Sequence, residues 1–267
     1  MATAGEASLH ITLRTLLARH VLKSLADAGI HPMPLKGALF AHWLYAEHDE
    51  RPGDDVDILV RPRDFTKATR VLVDGGFAAL NAPRFHYQKG FLAPAVPIAV
   101  DLHQSLFPWR FYRVRTEDLF ERGTEDRTLF GCPVTIPDPY DAYAHLIGHA
   151  AAGHLRKLPP AHRRDLALLR EKFGLEPRLC AARLDALGLS RAARYALEAL
   201  AGKDPFAAEV LHELPSDPLG RALVALARGV ADGLPHDSAL GRYSAYLTND
   251  SLTGSMGCIA RRLVETE

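Results

Sequence analysis

Arg51-Pro-Gly-Asp-Asp-Val-Asp-Ile-Leu-Val60 is the stretch on which the fold turns. Its first half reads as a loop. Val56 to Val60 reads as a buried-type strand, apolar except for Asp57. Asp55 and Asp57 stand at i and i+2, so on an extended chain they share one face. A carboxylate inside such a strand is costly unless it is paired or metal-bound. Pro62 stops the strand, and Asp64 is placed to cap a helix from Phe65 to Asp74, which Gly75-Gly76 ends.

Upstream, Leu13, Leu16, Leu17, Val21, Leu22 and Leu25 recur at helical spacing, which predicts an amphipathic helix from Leu9 to Ala28, stopped by Gly29. Ile30 to Lys36 reads as a short strand that Pro32 and Pro34 confine to a sheet edge or to irregular structure. Gly37 opens a second helix through about Glu47.

Downstream, Phe77 to Leu80 reads as a short strand. His86 to Phe91 and Pro97 to His103 read as a hairpin around Ala93-Pro94-Ala95. On the second of these strands Ile98, Val100 and Leu102 alternate with Ala99, Asp101 and His103. The strand is thus half-buried and presents Asp101 from its wetter face. From Pro137 the pattern becomes helical: Tyr140 to Gly153, His162 to Phe173, Pro177 to Leu187, Arg191 to Leu200, Phe206 to Leu214 and Leu219 to Ala231. The expected class is α+β (mixed), a small mixed sheet flanked by helices over residues 1–135, followed by an all-helical domain over 136–267. No repeat or low-complexity tract is present, and Ala239 to Glu267 is only weakly patterned.

Two acids on one strand and a third on another supply the hard oxygen ligands that Mg²⁺ (or Mn²⁺) takes together with waters and substrate phosphates. Phosphoryl and nucleotidyl transfer need in-line positioning and charge neutralisation, which two divalent ions roughly 3.5–4 Å apart can supply. On this reading Asp55, Asp57 and Asp101 are the metal-binding and catalytic carboxylates, with Asp101 also helping to deprotonate an attacking hydroxyl. Gly37 lets the backbone approach phosphates, and the first amides of its helix face anionic oxygens. Lys36 and Arg51 are the cationic partners of the triphosphate. His103, on the face of Asp101, orients an acceptor, acts as a base, or is a hydrogen-bonded histidine beside the site. The plainer alternative for Asp54, Asp55 and Asp57 is a loop before a solvated strand position, since two acids spaced by one residue are common.

Leu35-Lys-Gly37, Arg51, Asp55-Val-Asp-Ile-Leu-Val60 and Asp101-Leu-His103 together resemble the uncharacterised nucleotidyltransferase family of the polymerase-beta-like superfamily, over about residues 10–175. The resemblance implies the fold above, a metal role for the three aspartates, and an NTP, ATP among them, as substrate. Lys36-Gly37 stands where many superfamily members have Gly-Ser or Gly-Gly, so no hydroxyl is available there for phosphate and Lys36 takes its place. The separation from Gly37 to Asp55 is also longer than in better-known branches.

His145 and His149 lie at i and i+4 on a helix, with His154 and His162 downstream. The spacing suits zinc or a phosphate contact, but packing and surface histidines are the favoured reading, because no HExxH pattern or obvious third ligand accompanies them. Arg156, Lys157, Arg163, Arg164 and Arg170, with Asp165 among them, form a basic cluster that reads first as a solvated face and second as a phosphate or RNA contact. Trp43, Tyr45 and Phe107-Pro-Trp-Arg-Phe-Tyr112 read as packing, with Trp109 and Tyr112 the candidates for stacking a base.

The totals narrow the setting. With 32 Lys+Arg against 32 Asp+Glu the formal net charge is zero, which does not favour a long nucleic acid as partner. Cys132, Cys180 and Cys258 are scattered and odd in number, which disfavours a disulfide framework or structural zinc and suits a reducing cytoplasm. No signal peptide or membrane span is read. The expected activity is therefore transfer of an NMP from an NTP to an acceptor hydroxyl or phosphate on a small molecule, a peptide or protein, or an RNA end. A catalytically inactive nucleotide-sensing or partner-binding module on the same fold is the alternative. A toxin-like enzyme acting on tRNA or a protein is a third reading.

Overall fold

The structure, a computed structural model, describes residues 4–47, 50–80, 87–94, 96–108, 111–153, 158–233 and 245–251. His86, Trp109, His154, Arg156, Lys157 and Cys258 lie outside the described residues. The chain divides into two compact units, one of residues 1–106 with 115–138, the other of 107–114 with 139–267.

The first unit is built on a five-stranded sheet. Helix α1 (Ala4–Asp27) precedes β1 (Met33–Pro34), α2 (Lys36–Trp43) and β2 (Asp55–Leu59). Then come α3 (Phe65–Asp74), β3 (Ala78–Ala79), β4 (Gln88–Leu92) and β5 (Ala99–His103). The strand order is β1-β2-β5-β4-β3; only β2 and β5 run parallel, and the other pairs are antiparallel. The two-residue β1 takes an edge, as its prolines require. Val56, Ile58, Val60, Val100 and Leu102 are fully buried, as are Leu22 and Leu25 of α1, Phe40 of α2 and Phe91 of β4. The period-2 pattern therefore seats one sheet face in the core, and the acids alternate onto the other.

Two local expectations are corrected, and one region gains elements. Asp64 does not cap α3: a 3₁₀ turn from Pro62 to Asp64 runs into the helix, and Asp64 itself adopts right-handed backbone with no side-chain cap bond. A capping residue needs extended backbone, which the turn denies it. Helix α2 ends at Trp43 rather than near Glu47, and Leu44 closes it with an amide bond to the Phe40 carbonyl. Residues 104–136, whose sequence carries no clear period, hold α4 (Thr116–Arg122) and a two-stranded sheet of β6 (Thr124–Asp126) and β7 (Val134–Ile136). These elements are too short to show a period. The Thr135 amide donates to the Pro32 carbonyl at 2.9 Å and so ties β7 beside β1.

The second unit is helical: α5 (Pro139–Gly153), α6 (Pro160–Phe173), α7 (Pro177–Ala186), α8 (Ser190–Leu197), α9 (Pro205–Glu213) and α10 (Pro218–Gly233). Proline stands at the first helical turn of α6, α7 and α9, where its missing N–H costs nothing. Gly188, with φ +71°, turns the chain out of α7. Phe107, Phe111 and Tyr112 are buried here. Phe107 and Phe111 meet Tyr112 edge to face, with ring centroids 4.9 and 4.5 Å away, so these aromatics act in packing. No helix among the described residues is long and apolar enough to cross a membrane.

Candidate functional site

The parallel pairing of β2 and β5 sets the site. Its register puts Asp57 opposite Asp101, Asp55 opposite Ala99 and Leu59 opposite His103. Strand alternation then gathers Asp55, Asp57, Asp101 and His103 on one face of two central strands. Backbone bonds fix the pair: the Leu35 amide donates to the Asp57 carbonyl at 3.0 Å, and the Val60 amide donates to the His103 carbonyl at 2.9 Å, extending the β2–β5 ladder.

Asp57 is the hub. It is 2 % exposed, and its Oδ1 accepts from Lys36 Nζ at 2.9 Å and lies 2.9 Å from His103 Nε2. Burial alone pushes the Asp57 carboxyl up. The Lys36 ammonium, followed by the His103 hydrogen bond, outweighs that and holds it well below the usual carboxylate range. Asp55 behaves oppositely: burial first, then the neighbouring Asp57 charge, raise its carboxyl, and Lys36 only partly compensates. Asp101 accepts from Gln88 Nε2 at 3.3 Å.

Lys36 is the one described non-glycine residue with positive φ, at +42°. It sits at the first position of α2 and turns its side chain back onto Asp57. Left-handed backbone on a residue with a Cβ is a cost that surrounding structure must outweigh.

Gly37 and Arg51 lie against one another at the start of α2. A Cβ at Gly37 would stand 3.0 Å from Arg51 Nη1 and 3.2 Å from Arg14 Nη1, so the missing side chain makes room for two guanidinium groups. Arg51 and Arg14 are both buried, and Arg14 Nη2 donates to the Arg51 carbonyl at 2.8 Å. The cationic pair therefore lies behind the start of α2. A Cβ at Gly53 would overlap Arg14 as well.

The donor chemistry suits a divalent cation. One ligand atom each from Asp57, Asp101 and His103 lies within 4.8 Å of the others, and among the described residues no other group of three acids, histidines or cysteines is so close. Asp55 stands outside this tightest set. Gly90 pairs with Asp101 across β4 and β5, and a Cβ there would come within 3.2 Å of Leu80 Cδ1 and 3.3 Å of Asp101 Oδ1, so the glycine admits both side chains.

Sequence reasoning missed Tyr87, Gln88, Gly90 and Arg14. The Tyr87 ring centroid lies 6.0 Å from that of His103. Burial, then the charges of Asp57 and Asp101, push its phenol up to about 12. Gln88 and Gly90 are two apart on β4, a spacing that gains meaning only once the β4–β5 register is known.

The other candidates fall in the helical unit. The His145 and His149 rings lie 6.3 Å apart, and His149 and His162 lie 5.6 Å apart, all at steep angles, across α5 and α6. Arg170 is an internal tie: its Nη1 reaches both carboxylate oxygens of Asp204, at 2.7 and 2.8 Å, while Asp204 caps α9 through the Phe206 amide. Asp165 is fully buried, and Arg163 and Arg164 are exposed on the same helix.

The model of a family described as uncharacterised nucleotidyltransferase matches residues 5–201. No curated protein matches. Among solved structures the chain is similar to the antibiotic-resistance factor ANT(2'')-Ia, with a TM-score of 0.47 and 17% identity over 73% of this chain and 100% of that one. It is also similar to an antigenic nucleotidyltransferase-like protein from Paracoccidioides brasiliensis, with a TM-score of 0.46 and 16% identity over 80% of this chain and 96% of that one.

Proposed function

The chain belongs to the uncharacterised nucleotidyltransferase family, and on that premise we propose that it transfers an NMP from an NTP to an acceptor hydroxyl or phosphate, using a divalent cation held on the β2–β5 face. The observation that carries the reading is the parallel register that sets Asp57 against Asp101, with Asp55 on the same face. Asp55, Asp57 and Asp101 are the proposed metal carboxylates within a nucleotidyltransferase-like domain of residues 1–135. A divalent ion, Mg²⁺ or Mn²⁺, neutralises charge on the transferring phosphoryl group when bound.

The chain's own residues do the rest. Lys36 and the first amides of α2 receive the triphosphate oxygens, because an ammonium and unsatisfied N–H groups both favour anions. Arg51, behind Gly37, adds positive potential at the start of that helix. Asp101 accepts the proton of the attacking hydroxyl. That oxygen forms a bond to the α-phosphorus, the bond to the bridging oxygen breaks, and pyrophosphate departs. The acceptor classes are a small molecule, a peptide or protein, or an RNA end. The balanced charge of the chain argues against a long nucleic acid. Cys132 and Cys180 are free buried thiols, which suits a reducing cytoplasmic setting.

The test is incubation with each of the four α-³²P-labelled NTPs and divalent metal, against small-molecule, protein and RNA acceptor pools, with pyrophosphate release followed in parallel. Label transfer with stoichiometric pyrophosphate, lost in Asp57→Asn, supports the reading. Metal-dependent NTP binding with no pyrophosphate from any pool would instead favour the nucleotide-sensing module.

A further inference from the structure

We propose that His103 is a direct nitrogen ligand of this metal site, and that it turns the site's preference from Mg²⁺ toward divalent transition ions of the Mn²⁺ class. The inference rests on the metal-site reading above and deepens it by naming the ion.

The tightest constellation of ligand atoms is two carboxylates and an imidazole, Asp57, Asp101 and His103, rather than three carboxylates. His103 Nε2 and Asp57 Oδ1 are 2.9 Å apart. Two donors each about 2.1 Å from one ion and at right angles to one another lie about 3 Å apart. The 2.9 Å contact is a hydrogen bond in length, and the same spacing fits two donors on one ion.

The backbone fixes His103 firmly. It pairs with Leu59 on one side and Gln88 on the other, and the residue is 3 % exposed. Its other ring nitrogen, Nδ1, is buried with no hydrogen-bond partner among the described residues. Beside the ionised Asp57 carboxylate Nε2 carries the proton and donates; an ion taking that place would need the proton on Nδ1 instead, where nothing among the described residues accepts it, a cost the metal–nitrogen bond would have to outweigh.

Ligand softness then decides the ion. Mg²⁺ demands oxygen ligands and retains its waters, whereas an imidazole nitrogen suits ions further along the first transition row. A wholly carboxylate site accepts Mg²⁺ and Mn²⁺ alike, and a nitrogen ligand widens the gap between them. His103 acting only through its hydrogen bond to Asp57 would orient that carboxylate and leave the choice of ion unchanged.

The experiment titrates Mn²⁺ into full-length wild type, His103→Asn and His103→Gln, counting free Mn²⁺ by its EPR signal, with Mg²⁺ competition. Electron spin-echo envelope modulation of bound Mn²⁺ then reads nitrogen coupling. The expected result is imidazole-nitrogen modulation in the wild type and a preference for Mn²⁺ over Mg²⁺. That preference falls by about tenfold or more in both variants, with Mg²⁺ affinity little changed. Bound Mn²⁺ without nitrogen modulation, or the same Mn²⁺:Mg²⁺ ratio in a folded variant, overturns the ligand role but leaves the metal-site reading intact. No binding of either ion by the wild type overturns both. The wild-type spectrum is decisive even if both variants fail to fold.

Discussion

Lys36 Nζ and His103 Nε2 each lie 2.9 Å from one oxygen of Asp57. Lys36 is 12% exposed at its side chain and Asp57 3%. In the metal-free protein an ammonium thus supplies the positive charge that the buried carboxylate requires. Breaking one side of such a pair leaves the other buried and unmatched, at about 3–5 kcal/mol. Lys36→Met is therefore expected to lose stability in chemical denaturation without metal and to recover part of it when Mn²⁺ is added. Because Lys36 has φ +42°, Lys36→Gly relieves backbone strain that Lys36→Ala keeps. The glycine variant is expected to be the more stable of the two by about 1 kcal/mol.

The depressed Asp57 carboxyl gives a pH signature. Its folded value lies below the unfolded value of about 3.9. The stability it contributes is present above that unfolded value and is lost as pH falls toward the folded one. Denaturation midpoints of the wild type are expected to drop more steeply below about pH 4 than those of Asp57→Asn. Parallel acid limbs would refute the buried ion pair.

Asp55 carries the opposite sign. Its carboxyl is raised, by burial and then by Asp57, so the metal-free fold disfavours its charge. That effect grows as pH rises through the unfolded value and then the folded one. Asp55→Asn is expected to melt higher than the wild type at pH 7 without metal, with the gap closing near pH 3. The same variant loses metal-linked nucleotide stabilisation. Thermal melts at the two pH values, with and without metal and NTP, measure both.

Much of this site was legible from spacing. Asp55 and Asp57 at i and i+2, and an alternating strand ending in Asp101 and His103, predict acids on one face. The hairpin of β4 and β5 and the helical second half also follow from period and punctuation. What spacing cannot carry is register. Nothing in Val56-Asp-Ile-Leu-Val60 says that β2 pairs in parallel with β5, and only that pairing puts Asp57 opposite Asp101. The use of Gly37 and Gly53 to admit the guanidinium of Arg14 depends on a residue some twenty positions or more away, which local reading cannot see. Asp64 failed as a cap because the proline two residues earlier began the turn sooner.

The weakly patterned C-terminal stretch was illegible for the same reason. Asp250 accepts hydrogen bonds from the Ser190 amide at 2.9 Å and the Arg191 amide at 2.8 Å, capping α8 from sixty residues away in sequence. Arg191 Nη1 in turn donates to the Asn249 carbonyl at 3.0 Å. Asp250→Ala is expected to cost about 1 kcal/mol, within the usual range for a lost helix cap. Asp250→Asn keeps an acceptor and costs less. Urea denaturation of both variants provides the comparison.

The most direct test of the nucleotidyltransferase site is thermal unfolding of the wild type and of Asp55→Asn/Asp57→Asn with each NTP, with and without Mg²⁺ or Mn²⁺. A ligand at about 100 times its Kd that binds only the folded state adds roughly 2.7 kcal/mol. The account predicts a nucleotide shift in the wild type that appears only with metal and is absent in the double variant. A shift of equal size in the double variant, or none with any nucleotide in the wild type, would contradict it.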